Sequence, residues 1–136
     1  MKTLHVGLRV ADVGRSVAFY AALGYETVGT VPDTPIGDLV MLKLPDDDFV
    51  TVELVHDPRV EAVGSGGLSH LVVQVDSMDA ALAPLAERGI EVEGPTSPDG
   101  SGELVTSIVV DPDGNRIELV QWPAGHAVGM TARDFA

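Results

Sequence analysis

The sequence predicts an α+β fold built from two tandem βαβββ modules, and three observations carry that prediction. Leu4-His5-Val6-Gly7-Leu8-Arg9-Val10 alternates as a strand, with the aliphatic residues on one face and His5, Gly7 and Arg9 on the other. Leu68-Ser69-His70-Leu71-Val72-Val73-Gln74-Val75 repeats the pattern 65 residues later. The same shift carries Gly24 to Gly89, Asp48 to Asp113, and Val52-Glu53-Leu54-Val55 to Ile117-Glu118-Leu119-Val120. Duplication also gives a chain of 136 residues two sheets that complete each other's burial.

Each element follows from its residues. After the first strand, Asp12 is an N-cap whose carboxylate accepts the free amides of a first turn. Val13–Leu23 is the helix, with Val13, Val17, Phe19, Tyr20 and Leu23 on a ragged apolar face, and Gly24 ends it. Strands follow at Tyr25–Val31, Leu39–Leu44 and Phe49–Val55, separated by a Pro32–Gly37 loop and a Pro45-Asp46-Asp47-Asp48 turn. In the second half, Ser77 or Asp79 caps an Ala80–Arg88 helix that stops at Gly89. Ile90–Glu93 and Leu104–Val110 are strands joined by a Pro/Gly/Ser loop. Asp111-Pro112-Asp113-Gly114 is a tight turn into the last strand, Asn115–Gln121. The expected organisation is a single domain over 1–136, with modules at about 4–56 and 68–122, a linker over 57–67 and an irregular tail over 123–136.

Composition bounds the function. Hydrophobic residues at 45 % supply a core, and no apolar run is long enough to span a membrane. No basic start with an apolar stretch precedes the first strand, so the expected location is the cytoplasm. The absence of cysteine excludes disulfides, thiolate metal sites and cysteine nucleophiles. Eight Lys+Arg against 21 Asp+Glu give a net charge of −13, a field that repels nucleic acid and anionic lipid. An anionic substrate group then needs a local cation, and Arg9 or a metal ion is available.

Four residues stand out: His5, Glu53, His70 and Glu118, each in the first or last strand of its half and at the same register. By parity each lies opposite the aliphatic run that packs on the helix. Two imidazoles and two carboxylates suit a borderline divalent ion: Zn²⁺, Ni²⁺, Co²⁺, Fe²⁺ or Mn²⁺. The carboxylates cancel its charge, which limits the cost of desolvation. A lone strand His is more often an interior hydrogen-bonded residue, and a lone strand Glu usually faces water. Repetition of both types on matching faces argues for a shared constraint.

The chain resembles the vicinal oxygen chelate superfamily, and within it the small bacterial glyoxalase I (lactoylglutathione lyase) proteins. The residues responsible are His5-Val-Gly-Leu-Arg9-Val-Ala-Asp12, Ser16-Val-Ala-Phe19-Tyr20, Leu23-Gly24, Val52-Glu53-Leu54, Ser69-His70-Leu71 and Asp111-Pro-Asp-Gly114-Asn-Arg-Ile-Glu118-Leu119. The resemblance implies a cupped mixed sheet around one divalent metal, with nickel or zinc first in order, held by His5, Glu53, His70 and Glu118. It implies proton transfer on a hemithioacetal of methylglyoxal through a metal-stabilised enediolate. Glu118 is then the catalytic base, with Glu53 as ligand and partner. Arg9 and its copy Gln74 are the substrate-binding candidates. Arg9 stands where the family holds a glutathione carboxylate.

Two departures bear on the substrate. His56-Asp57 stand where the family commonly has an Asn, and the loop over 94–104 has no Lys or Arg. The thiol is therefore open between glutathione and another. Two alternatives share the fold: a non-catalytic drug or natural-product binding protein of the bleomycin-resistance kind, and a CoA-thioester epimerase. A homodimer is expected, since such sheets expose edges that a two-fold partner covers.

Overall fold

The computed structural model describes residues 3–60, 63–64, 68–130 and 132–136. The expected linker over 57–67 therefore lies partly outside the described residues. Among these residues, eight strands and two α-helices follow the order βαβββ twice. The strands divide into two four-stranded mixed sheets, and the chain into two compact units.

The first unit holds Met1–Gly67 together with Asp111–Gly114. It contains β1 (Val6–Arg9), α1 (Val13–Ala22), β2 (Glu26–Thr34), β3 (Gly37–Lys43) and β4 (Val52–His56). Their order in the sheet is β1-β4-β3-β2, with β1 parallel to β4 and the other pairs antiparallel. Asp12 caps α1 by accepting the Arg15 amide at 2.8 Å. Gly24, at φ 103, ends it in a conformation that a Cβ would strain. The helix packs on β4 and β2. It buries Phe19, Tyr20 and Ala22, along with Ser16, which a polarity pattern assigns to solvent. Leu8, Val10, Tyr25, Val40, Leu42, Val52, Leu54 and Val55 complete this core. Phe49 is not part of it: about half of its surface is exposed, at 48 %.

The turn Asp111–Gly114 belongs to this unit through α1. Asp111 Oδ2 accepts the Tyr20 hydroxyl at 2.8 Å, and Oδ1 accepts the Asp113 amide at 2.8 Å. Asp113 in turn accepts the Ala11 amide at 3.1 Å and the Ser16 hydroxyl at 3.3 Å. Burial pushes the Tyr20 phenol far up, helped by the Asp111 charge, and pushes Tyr25 up to about 12. A raised phenol favours the folded state below the unfolded value of about 10, and that contribution is lost as pH rises above it. The two tyrosines of the chain are thus expected to stay protonated in alkali until the fold opens. Phenolate absorbance and circular dichroism should change together; phenolate appearing near pH 10 in folded protein would contradict this placement.

The second unit holds Leu68–Val110 and Asn115–Ala136. It contains β5 (Leu71–Gln74), α2 (Met78–Glu87), β6 (Val92–Thr96), β7 (Val105–Val110) and β8 (Arg116–Gln121), in the sheet order β5-β8-β7-β6. Ser77, not Asp79, caps α2 by accepting the Ala80 amide at 3.3 Å. Gln121 Oε1 accepts a second free amide of that end, from Met78. The core is Val73, Met78, Leu85, Val109, Ile117, Leu119 and Val120. The tail read as irregular closes with a 3₁₀ turn, Ala132–Phe135.

Candidate functional site

The two sheets place their polar residues by the same rule. In the first unit Gly7 of β1 is opposite Glu53 of β4; in the second, Val72 of β5 is opposite Glu118 of β8. The two registers are related by the 65-residue shift of the sequence. His5 lies two residues before Gly7 and His70 two before Val72, so alternation puts each imidazole on the face of its carboxylate. His5 Nε2 is 3.2 Å from Glu53 Oε2, and His70 Nε2 is 3.4 Å from Glu118 Oε2. Glu53 is 12 % exposed and Glu118 28 %, so neither is the solvated carboxylate that strand composition suggests. Ser69 Oγ is 3.0 Å from His70 Nδ1, a contact that fixes the ring while Nε2 faces Glu118.

The donor set fits a divalent ion. With metal–ligand bonds of about 2.1 Å, two donors at right angles are about 3.0 Å apart and two at the tetrahedral angle about 3.4 Å apart. The 3.2 and 3.4 Å separations fall in that range and are longer than a good charge-assisted hydrogen bond. Each pair holds two of the four residues expected as ligands. Among the described residues no group of three or more His, Asp or Glu side chains is gathered closely enough to hold an ion.

Arg9 shares the face of His5, and its Nη1 is buried without a hydrogen-bond partner. Burial of a guanidinium nitrogen is costly unless an acceptor reaches it. Asp57 is engaged elsewhere: its carboxylate takes Arg59 Nε at 2.8 Å and Nη2 at 2.9 Å. Those bonds, the Arg59 amide and the nearby Arg9 charge hold its carboxyl down to about 2. Gly37, at φ 119, lets β3 begin beside this strand end, since a Cβ there would clash with the His56 carbonyl oxygen. Gln74 is exposed, and its Oε1 accepts the Gly129 amide of the tail at 3.2 Å.

Two features escape the sequence pattern. His126 stacks on Trp122 with centroids 4.4 Å apart and planes 10° apart, and its Nε2 is 3.1 Å from Asp134 Oδ1. A cleft of about 540 Å³ is lined by Glu91, Val92, Glu93, Ile108 and Val110. Strand alternation alone relates Ile108 to Val110 and Glu91 to Glu93; only the observed pairing sets them against Glu118.

Comparison with known proteins bears on the whole chain. The model of the Glyoxalase/Bleomycin resistance protein/Dioxygenase superfamily matches residues 2–119. Lactoylglutathione lyase of Salmonella typhimurium is 31 % identical over 134 residues, covering 95 % of this chain and 99 % of that protein. Among solved structures, a glyoxalase family protein from Enterococcus faecalis aligns with a TM-score of 0.71 at 26 % identity, over 88 % of this chain and 97 % of that one. TnmS3, an antibiotic binding protein from Streptomyces sp. CB03234, aligns with a TM-score of 0.69 at 25 % identity, over 91 % and 98 %.

Proposed function

The chain belongs to the Glyoxalase/Bleomycin resistance protein/Dioxygenase superfamily, and on that premise we propose that it is a metal-dependent lyase of the glyoxalase I type. The substrate is the hemithioacetal of methylglyoxal with a thiol, and the product is the isomeric 2-hydroxyacyl thioester. The observation that carries this reading is the pair of His–Glu contacts at matching register and at ligand-like spacing.

His5, Glu53, His70 and Glu118 would hold the ion, with nickel or zinc the first metals to test. When bound, the ion supplies Lewis acidity toward two adjacent substrate oxygens. Glu118, the more open carboxylate, takes the proton from the carbon bearing sulfur and returns it to the neighbouring carbon, so the reaction is an isomerisation with no other reactant. Glu53 is more enclosed and balances charge. Arg9 offers its unpartnered Nη1 to a substrate oxygen, and Gln74 offers an amide N–H.

The working unit is a cytoplasmic homodimer in which His5 and Glu53 of one protomer join His70 and Glu118 of its partner, making two equal sites. Exposed Val28, Val31 and Ile36 beside the β2 edge support a second copy.

Metal-stripped protein titrated with Ni²⁺ or Zn²⁺ is expected to take one ion per protomer and to gain turnover of the methylglyoxal–thiol adduct. His70→Ala should lose the ion. Retention of the same metal content by His70→Ala, or no turnover with glutathione or any other thiol, would end this reading. The likeness to TnmS3 favours a second one, sequestration of a small molecule without chemistry. Its signature is tight binding that Glu118→Gln leaves intact.

A further inference from the structure

The cleft beside β7 is lined by Glu93, Ile108 and Val110 on the face of Glu118, together with Glu91 and Val92. In the second sheet Val72 is opposite Glu118, Glu118 opposite Ile108, and Ile108 opposite Glu93. Paired residues share a face, so these four form one row across the sheet. With strands about 4.8 Å apart, Ile108 starts about 5 Å from Glu118 and Glu93 about 10 Å from it. Val110 and Glu91 extend the row's apolar and acidic ends by two residues each. At about 540 Å³ the cleft has the size of a small-molecule subsite.

Its charge is one-sided. From Leu68 to the end the chain has eleven Asp or Glu, three Arg and no Lys. The guanidinium on this face, Arg116, is held by Glu93 through Nη2 at 3.0 Å and Nη1 at 3.3 Å. Arg88 is the C-cap residue of α2. Arg133 has interactions of its own. A carboxylate or phosphate entering the cleft thus meets Glu91 and Glu93 with Arg116 already engaged. A hydrocarbon arm meets Ile108 and Val110, and a cation at its end meets Glu91.

We propose that this cleft is the subsite for the thiol-derived arm of the substrate, and that it selects an apolar arm ending in a positive charge over one ending in a carboxylate. The proposal rests on the lyase reading for the position of the reacting carbons beside Glu118. An exposed ion pair is worth about two- to fivefold in binding and a like-charge contact costs as much, so exchanging cation for carboxylate should separate two arms by about tenfold.

The test compares methylglyoxal adducts of three thiols of similar length: one ending in a quaternary ammonium, one in a tert-butyl group and one in a carboxylate. Quaternary nitrogen carries the charge without adding a nucleophile. The expected kcat/KM order is cationic, neutral, anionic, with about tenfold between the extremes. Glu91→Gln should cut that ratio at least in half. Equal or reversed preference, or a ratio untouched by Glu91→Gln, overturns the proposal.

A second arm separates this proposal from the reaction itself. S-methyl thioethers of the same thiols, which cannot react, are titrated while the amide resonances of Glu91, Ile108 and Val110 are followed. Preferred binding of the cationic thioether at those residues keeps the cleft assignment even if no adduct is turned over. Equal binding, shifts elsewhere, or closure of the face by a second copy as protein concentration rises removes the assignment.

Discussion

Glu118→Gln is expected to lower turnover by about 10³-fold while leaving the fold and most of the bound metal in place. Glutamine keeps the volume and one oxygen of the side chain but cannot take a proton. The same substitution at Glu53 should act mainly on metal affinity, because Glu53 is the more enclosed of the two, 12 % against 28 % exposed. Mixing tests the shared site. Inactive His5→Ala and inactive Glu118→Gln protein, unfolded and refolded together, should regain roughly a quarter of wild-type turnover, since half of the dimers are mixed and each mixed dimer keeps one intact set. No recovery would mean that each protomer supplies its own four ligands or that the four do not act together.

Asp111→Ala should destabilise the protein by about 3 kcal/mol, the largest stability effect of any polar substitution here. Asp111 is 4 % exposed and Tyr20 is fully buried, so the alanine leaves the phenol hydroxyl without its 2.8 Å acceptor and frees the Asp113 amide as well. Removing both partners, in Tyr20→Phe with Asp111→Ala, should cost less than the sum of the single changes, since no buried hydroxyl is then stranded. Denaturant unfolding of the four proteins checks this. A loss below about 0.5 kcal/mol for Asp111→Ala would mean the carboxylate is replaceable by water.

The repeat made most of the fold legible. A 65-residue shift gives the element order twice, and alternation gives each strand its buried face without knowledge of what lies across it. It also brought His5 to the face of Glu53 and His70 to that of Glu118, as the structure has them. The same symmetry was silent about the turns. Asp48 and Asp113 correspond in sequence, and both read as hairpin tips. Yet Asp113 binds Ala11 and Ser16 about a hundred residues away, while in the other tip Asp47 bonds Leu44 and Thr51 nearby. Partners so distant leave no local pattern. The cleft beside Ile108 was hidden for another reason. Its register depends on an irregularity between Glu93 and Thr96, at the end of a loop whose length does not fix the pairing. His126 lies in a tail without periodicity, so its stacking on Trp122 had no signal to find.

Four residues, Asp111–Gly114, are spelled in the second half of the sequence and grouped in space with the first. Covalent order and folding unit therefore part company at this point. A gene fragment ending before Leu68 would encode all of α1 and its sheet but not the acceptors for Tyr20 Oη and Ala11 N. The duplication visible in the text of the chain is thus not a seam along which it can be cut. Separate expression of the halves is a problem of fragment complementation, in which the second polypeptide must arrive before the first has a finished interior.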